Sequence, residues 1–171
     1  NGFEHVQYKT KVRDLYDNDI VKKYYYYETA EFLKKHLEAE KVLVFDHNQR
    51  SKKRADAGEI GMRYPVASAH VDYTHKSGAV RARKILSDFN ENKYAEHRMA
   101  IVNVWRPIIG PVVDMPLAMC DGETVNDEDL VETSIKHFSE KHVEVPEHAG
   151  RIYSLKFNPS HAWFYYSDMQ S

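Results

Sequence analysis

One short stretch of the sequence places an imidazole and a carboxylate where both could bind the same ion. His70 and Asp72 are separated by Val71 alone. Side chains alternate between the two faces of an extended strand, so His70 and Asp72 should point the same way, a few ångströms apart. An imidazole and a carboxylate are two of the three ligands in the facial triad of non-haem Fe(II) sites, whose third ligand is another His. Taken alone, the pattern favours a hydrogen-bonded pair without a metal, so its context must decide.

A second segment mixes polar and bulky side chains on the same face. If the run that starts at Arg98 is a strand, Asn103 and Trp105 share one face, and Arg106 lies on the other. An ordinary antiparallel strand separates polar from apolar residues, whereas a ligand pocket combines a few fixed hydrogen bonds with apolar walls. We therefore expect Asn103, Trp105 and Arg106, together with Tyr73, to form or support a pocket. A buried Trp beside a satisfied Asn is the alternative.

The elements that must position these residues are mostly short and β-prone. Apolar residues at helical spacing predict one clear helix that starts at Thr29 as its N-cap. The earlier residues 17–19, followed by apolar residues and a run of Tyr, indicate a capped start that leads to a helix or an extended run. Segments 77–89 and 126–141 are interpreted as helical or irregular. Strands are predicted over 42–45, 65–73, 99–105, 112–120, 151–157 and 162–166. A helical preface followed by antiparallel strands predicts a mainly β fold with flanking helices, of the jelly-roll kind.

Length and charge narrow the class of protein further. The 171 residues suit one domain, 1–171. The formal net charge of −2, from 24 Lys and Arg against 26 Asp and Glu, argues against nucleic acid or an anionic membrane as a partner. The single Cys120 cannot form an internal disulfide, and no apolar stretch is long enough to span a membrane. We expect a cytoplasmic protein.

Several motifs, in order, resemble one known family. The match begins with Val-Phe-Asp-His at 44–47 and His-Val-Asp-Tyr-Thr at 70–74. It continues through Val-Asn-Val-Trp-Arg-Pro-Ile at 102–108, Gly-Pro-Val at 110–112, Pro-Leu-Ala at 116–118 and scattered positions over 152–169. These strings resemble the fungal and bacterial CmcJ/NvfI-type oxidoreductases, a family that includes AsaB-like hydroxylase/desaturases and gibberellin desaturase-like enzymes. Their joint order is far more specific than His-x-Asp alone.

The resemblance implies a fold, two cofactors and two ligands. It implies a double-stranded β-helix (a cupin-like jelly roll) that binds Fe(II) and 2-oxoglutarate, with His70 and Asp72 as metal-binding and catalytic residues. As aligned, the family's third ligand, its 2-oxoglutarate-binding Arg and its terminal strands lie beyond Ser171. Within the chain, His161 is the best candidate for the third ligand, although a structural His that caps a hairpin is the more ordinary interpretation.

The expected activity is the hydroxylation or desaturation of a small secondary metabolite. Its partners would be that small molecule and dioxygen, with no nucleic acid and no membrane, and a homo-oligomer stays open. Two alternatives remain at this point. One is a non-catalytic or degenerate jelly-roll binding or accessory subunit. The other is a cupin-like metalloenzyme that uses His70, Asp72 and His161 without a keto acid.

Overall fold

A computed structural model describes residues 2–67, 70–134, 151–155 and 167–169. The chain divides into two compact units. Unit 1 comprises Asn1–Glu4, Val66–Pro107 and Pro111–Ser171, and unit 2 comprises His5–Pro65 and Ile108–Gly110. The single domain expected over residues 1–171 stays a prediction.

Unit 2 contains a helix that begins at the capped start indicated over 17–19 and continues past the N-cap predicted at Thr29. The helix runs through α1 (Asn18–Ile20), a π-helical turn (Val21–Tyr25) and α2 (Tyr26–His36). The carboxylate of Asp17 caps it by accepting from the second and third helical N–H groups. The predicted N-cap at Thr29 is wrong, because Thr29 is buried within α2. A π turn rotates the helix faces relative to one another, so a regular 3.6-residue period before Thr29 is not expected.

The other elements of unit 2 are short, and irregular segments connect them. Helix α3 (Lys52–Asp56) is capped by Ser51, whose hydroxyl accepts from the backbone N–H of Arg54 at 3.4 Å. A parallel bridge joins Arg50 to Arg63. The strand predicted over 42–45 is wrong, since these half-buried residues form no regular element. An apolar run becomes a strand only where a second strand pairs with its backbone.

The described residues of unit 1 form two small antiparallel sheets. Their strands are β1 (His70–Val71), β2 (Met99–Ile101), β3 (Leu130–Ser134), β4 (Arg151–Leu155) and β5 (Ser167–Met169). One sheet has the order β1-β4-β3, and β2 pairs with β5 in the other. In the first sheet His70 lies opposite Ser154, and Val131 lies opposite the same Ser154 from the other side. Strand β4 therefore positions the strand that carries His70.

Several predicted bounds in unit 1 are corrected by the structure. Within the strand predicted over 65–73, His70 and Val71 form β1; the strand predicted over 99–105 shrinks to β2, and residues 112–120 form none. Pro116 has no N–H to give to a sheet ladder, which weakens that last run. The described part of 126–141 begins with a 3₁₀ turn (Asp127–Asp129) and continues as β3. Strand β4 lies within the predicted 151–157, whereas β5 was missed.

Among the residues of unit 1 whose burial the structure describes, helix α4 (His75–Asp88) supplies most of the buried apolar side chains. Its buried residues, Gly78, Ala82, Ile85 and Leu86, recur at helical spacing, and its opposite face carries exposed Val80. The helix lies against β2 and β5. After it ends, Asn90 adopts a positive φ of 56°, which Asn tolerates better than most residues and which turns the chain away. Segment 77–89, interpreted as helical or irregular, is thus helical up to Asp88.

Two further points concern the whole chain. Among the described residues, no helix combines the length and the apolar character that crossing a bilayer requires. The 162–166 strand predicted from sequence lies outside the described residues, and so does His161. The double-stranded β-helix remains an expectation.

Candidate metal centre

His70 and Asp72 lie at the junction between β1 and α4. Val71, between them, is buried with 6% of its surface exposed, while the side chains of His70 and Asp72 are 26% and 44% exposed. The β-ladder covers only His70 and Val71, and the chain bends at Asp72. One buried apolar residue thus anchors the segment, and the two flanking polar side chains remain partly exposed.

A capping box fixes the backbone immediately after Asp72. The Thr74 hydroxyl accepts from the Ser77 N–H at 3.1 Å, and the Ser77 hydroxyl accepts from the Thr74 N–H at 2.9 Å. Both side chains are buried. Reciprocal bonds of this kind satisfy N–H groups that the first helical turn leaves unpaired. Because α4 begins at His75, its rigid first turn restricts where Asp72 can lie.

The structure brings the two predicted ligands together. His70 Nε2 lies 3.3 Å from Asp72 Oδ1. Two donor atoms that bind one ion at right angles, each about 2.1 Å away, are separated by about 3.0 Å. The donor types and their spacing therefore fit a divalent transition metal with only a small adjustment. Their role as ligands stays a prediction, because the same distance also suits a His–Asp ion pair.

Asn103 joins this cluster from a different part of the chain. Its side-chain Nδ2 donates to Asp72 Oδ2 at 2.9 Å. Asn103 lies in the segment after β2, which has no regular secondary structure. Sequence reasoning placed Asn103 in a substrate pocket on the strength of strand alternation, whereas its contact in the structure is with the carboxylate itself.

The other predicted pocket residues differ in exposure. Trp105 is 46% exposed, and Arg106 and Tyr73 are half-buried. Tyr73 is adjacent to Asp72 in the chain, and Trp105 follows Asn103 by two residues. Exposed aromatic surface beside a polar cluster is a common feature of ligand sites. Lining of a pocket by these three residues stays a prediction.

The described residues do not supply a third metal ligand. No group of three His, Cys, Asp or Glu side chains with the geometry to hold an ion occurs among the ranges 2–67, 70–134, 151–155 and 167–169. His161, the internal candidate, is outside those ranges.

Unit 2 contains a second polar cluster, which the sequence did not predict. His47 lies between the Tyr26 hydroxyl, 2.7 Å from Nδ1, and Asn18 Oδ1, 2.8 Å from Nε2. An amide oxygen can only accept, so Nε2 carries the proton and Nδ1 accepts from Tyr26. The sequence carried two signals, the Asp-His pair at 46–47 and the Tyr run at 24–27, but neither indicated that they meet.

The electrostatics of this cluster favour its neutral state. Burial lowers the pKa of His47, and nearby Lys22 lowers it further, although Asp46 acts in the opposite direction. Burial also raises the pKa of Tyr26, as does Asp46. These groups line an open cleft of about 390 Å³ that also contains Arg63. The cluster rigidifies the wall of this cleft.

Cys120 behaves as expected of a structural thiol. Its side chain is buried, and the thiol lies 3.1 Å from the carbonyl oxygen of Asp121. Burial raises the pKa of this thiol, which opposes formation of the nucleophilic thiolate. These observations indicate a structural thiol rather than a nucleophile.

Comparison with known proteins identifies relatives along the whole chain. A family model described as "Oxidoreductase/YMDC permease-like domain" matches residues 1–171. "Alpha-ketoglutarate-dependent dioxygenase phiK" from a fungal species is 30% identical over 96% of this chain and 58% of its own length. "Fe(II)/2-oxoglutarate-dependent dioxygenase nvfI" from Aspergillus novofumigatus is 27% identical, over 91% of this chain and 52% of its own.

A further relative is named as a hydroxylase/desaturase. "Hydroxylase/desaturase efuI" from Hormonema carpetanum is 28% identical over 98% of this chain and 61% of its own length. The chain thus spans between half and two thirds of the length of these relatives. No solved structure matches the chain. The full-length family match and these relatives show that the chain belongs to the oxidoreductase family of the fungal Fe(II)/2-oxoglutarate-dependent dioxygenases and hydroxylase/desaturases, the CmcJ/NvfI-type group that its motifs resemble.

Proposed function

We propose that the protein is an Fe(II)- and 2-oxoglutarate-dependent oxygenase that hydroxylates or desaturates a small secondary metabolite. The observation that carries this proposal is the 3.3 Å approach of His70 Nε2 to Asp72 Oδ1 on a partly exposed strand end. Membership of a family whose curated relatives are named as dioxygenases and hydroxylase/desaturases supports the same reaction class. The co-substrate would be dioxygen.

His70 and Asp72 would supply two ligands to the metal. A ferrous ion with bound keto acid supplies the oxidising chemistry that removes hydrogen from an unactivated C–H bond. The chain's own contribution is to hold the ligands in a fixed geometry. Strand β1 aligns His70 through its pairing with β4, and the capping box of α4 limits the movement of Asp72.

The substrate would be bound next to the ligands by residues of both segments. Trp105 offers a large, partly exposed apolar face, and Tyr73 follows Asp72 directly. Arg106, half-buried, would contribute a fixed positive charge near an anionic group of the substrate or keto acid. As part of the same proposal, the chain contributes to a cupin-like jelly roll with the small sheets of unit 1 in its wall.

The proposal is tested by the formation of succinate from 2-oxoglutarate. Purified protein with Fe(II), 2-oxoglutarate and oxygen should form succinate, and His70→Ala and Asp72→Ala should reduce this by at least a factor of about 100, since each removes a ligand. The matched controls are His97→Ala and Asp88→Ala. Both residues are exposed and lie outside the cluster, so these variants should retain the wild-type rate.

Two results would contradict the proposal. Succinate formation that is unchanged in either ligand variant would remove His70 and Asp72 from the reaction. Metal-dependent oxidation that proceeds without any 2-oxoglutarate would instead indicate the cupin-like metalloenzyme.

A further inference from the structure

The two oxygens of the Asp72 carboxylate have different neighbours. Oδ1 lies 3.3 Å from His70 Nε2, and Oδ2 accepts a hydrogen bond of 2.9 Å from Asn103 Nδ2. Resting on the proposed function, we propose that Asn103 is a positioning residue that holds Asp72 as a one-oxygen ligand of Fe(II).

Such a restraint matters because the position of Asp72 in the backbone does not by itself orient the carboxylate. The residue lies at a bend outside the β-ladder, and its side chain is 44% exposed. Rotation of an Asp carboxylate about its terminal torsion meets only a broad, shallow potential. An amide that donates to one oxygen removes this freedom, and a hydrogen bond to a charged acceptor is stronger than one between neutral groups.

The choice of carboxylate oxygen that the Asn103 amide binds has a chemical consequence. With Oδ2 held by the amide, Oδ1 is the oxygen that faces His70 and would share the ion with it. Binding through one oxygen keeps a coordination position free that a two-oxygen ligand would occupy. Facial triads depend on such open positions, because the co-substrates bind there. The inference therefore predicts that Asn103 affects the number of open coordination positions on the metal as well as the affinity for the metal.

A purely structural role for Asn103 makes a different prediction. The hydrogen bond also ties the segment after β2 to the start of α4, which could simply stabilise unit 1. In that case, loss of the amide would lower the melting temperature without changing how the folded protein binds a metal. Measurements on metal binding by folded variants separate the two roles.

The experiment is a titration of the metal-free protein with Co(II), followed by visible absorption without 2-oxoglutarate. Asn103→Leu keeps the approximate size and removes the donor, while Asn103→Asp replaces the donor with a second carboxylate. We expect Asn103→Leu to weaken Co(II) binding by about 10- to 100-fold, the usual effect of losing an outer hydrogen-bond partner. Asn103→Asp should change both the affinity and the spectrum, because its carboxylate repels Asp72 and can itself bind the ion. The absorption bands should also shift. Asn103→Gln, which retains the amide, should recover part of the affinity.

Controls distinguish the possible failures. Val104→Ala changes the neighbouring exposed side chain and should leave Co(II) binding unchanged. Circular dichroism identifies the folded variants, and wild-type affinity and spectrum in folded Asn103→Leu or Asn103→Asp would overturn the inference. If instead the wild type and His70→Ala bind Co(II) equally, the proposed function fails, because the metal then lies elsewhere.

Discussion

At the scale of single residues, hydrogen-bond partners separate two histidines that look alike in the sequence. His70 is partly exposed and adjacent to a carboxylate, an arrangement that suits a metal ligand. His47 has both ring nitrogens engaged, by Tyr26 and Asn18, and its environment favours the neutral form. His70 thus lies beside a carboxylate at a partly exposed position, whereas His47 is held between two polar side chains.

The lowered pKa of His47 predicts a pH-dependent loss of stability. The unfolded chain takes up a proton on this side chain below about pH 6.5, but the folded chain does so only at lower pH. The unfolding free energy should therefore fall as pH decreases from about 6.5 toward the folded pKa, with no contribution above that range. In urea unfolding at pH 7.5 and 5.5, His47→Gln should lose less stability on acidification than the wild type.

The control for this experiment is His97→Gln, which alters an exposed histidine. It should lose as much stability between the two pH values as the wild type does. An identical loss in His47→Gln and the wild type would show that the Tyr26–His47–Asn18 contacts do not keep the imidazole neutral.

At the scale of elements, the first turn of α4 lies between the buried core of unit 1 and the segment that carries His70 and Asp72. Thr74 and Ser77 form the capping box and are both buried, and Ala82, Ile85 and Leu86 fill the core from the same helix. Sequence reasoning foresaw a helical or irregular segment here but not the cap. The cap matters because Asp72 lies only two residues before it.

Removal of this cap should destabilise the protein measurably. Thr74→Ala deletes the hydroxyl that accepts from the Ser77 N–H and should lower the unfolding free energy by about 1 to 2 kcal/mol, the upper range for caps, because the site is buried. Thr74→Ser keeps the hydroxyl and should retain most of the stability. Ser87→Ala, on the exposed end of α4, should change stability by less than about 0.5 kcal/mol. Equal urea midpoints for Thr74→Ala and Ser87→Ala would contradict this account.

At the scale of the whole molecule, the proximity of residues close in the sequence was predictable and strand pairing was not. The adjacency of His70 and Asp72 follows from their spacing of two, although only His70 and Val71 lie in the ladder. The contact between Asn103 and Asp72 joins residues far apart in the chain, and no local pattern encodes it. Strand β5 was missed because its three residues, Ser167–Met169, carry no β-prone alternation.

The same reasoning explains the false strand over 112–120. Its residues have a strand-like composition, but Pro116 interrupts the hydrogen-bonding pattern and no partner strand pairs with it among the described residues. Whether a segment forms a helix or a strand is thus partly determined by its own residues. Which strands pair, and in which register, depends on contacts between distant segments. The family motifs indicated a reaction class and its cofactors, which hydrophobic periodicity alone does not indicate.

The central claim is that His70 and Asp72 bind one ferrous ion together. It is tested most directly by anaerobic equilibrium dialysis of the wild type, His70→Ala and Asp72→Ala against Fe(II), with the bound metal measured per chain. We predict one bound Fe(II) in the wild type and, in each variant, a loss of affinity larger than the roughly 10- to 100-fold caused by losing an outer hydrogen bond. Wild-type affinity for Fe(II) in either variant would contradict the claim.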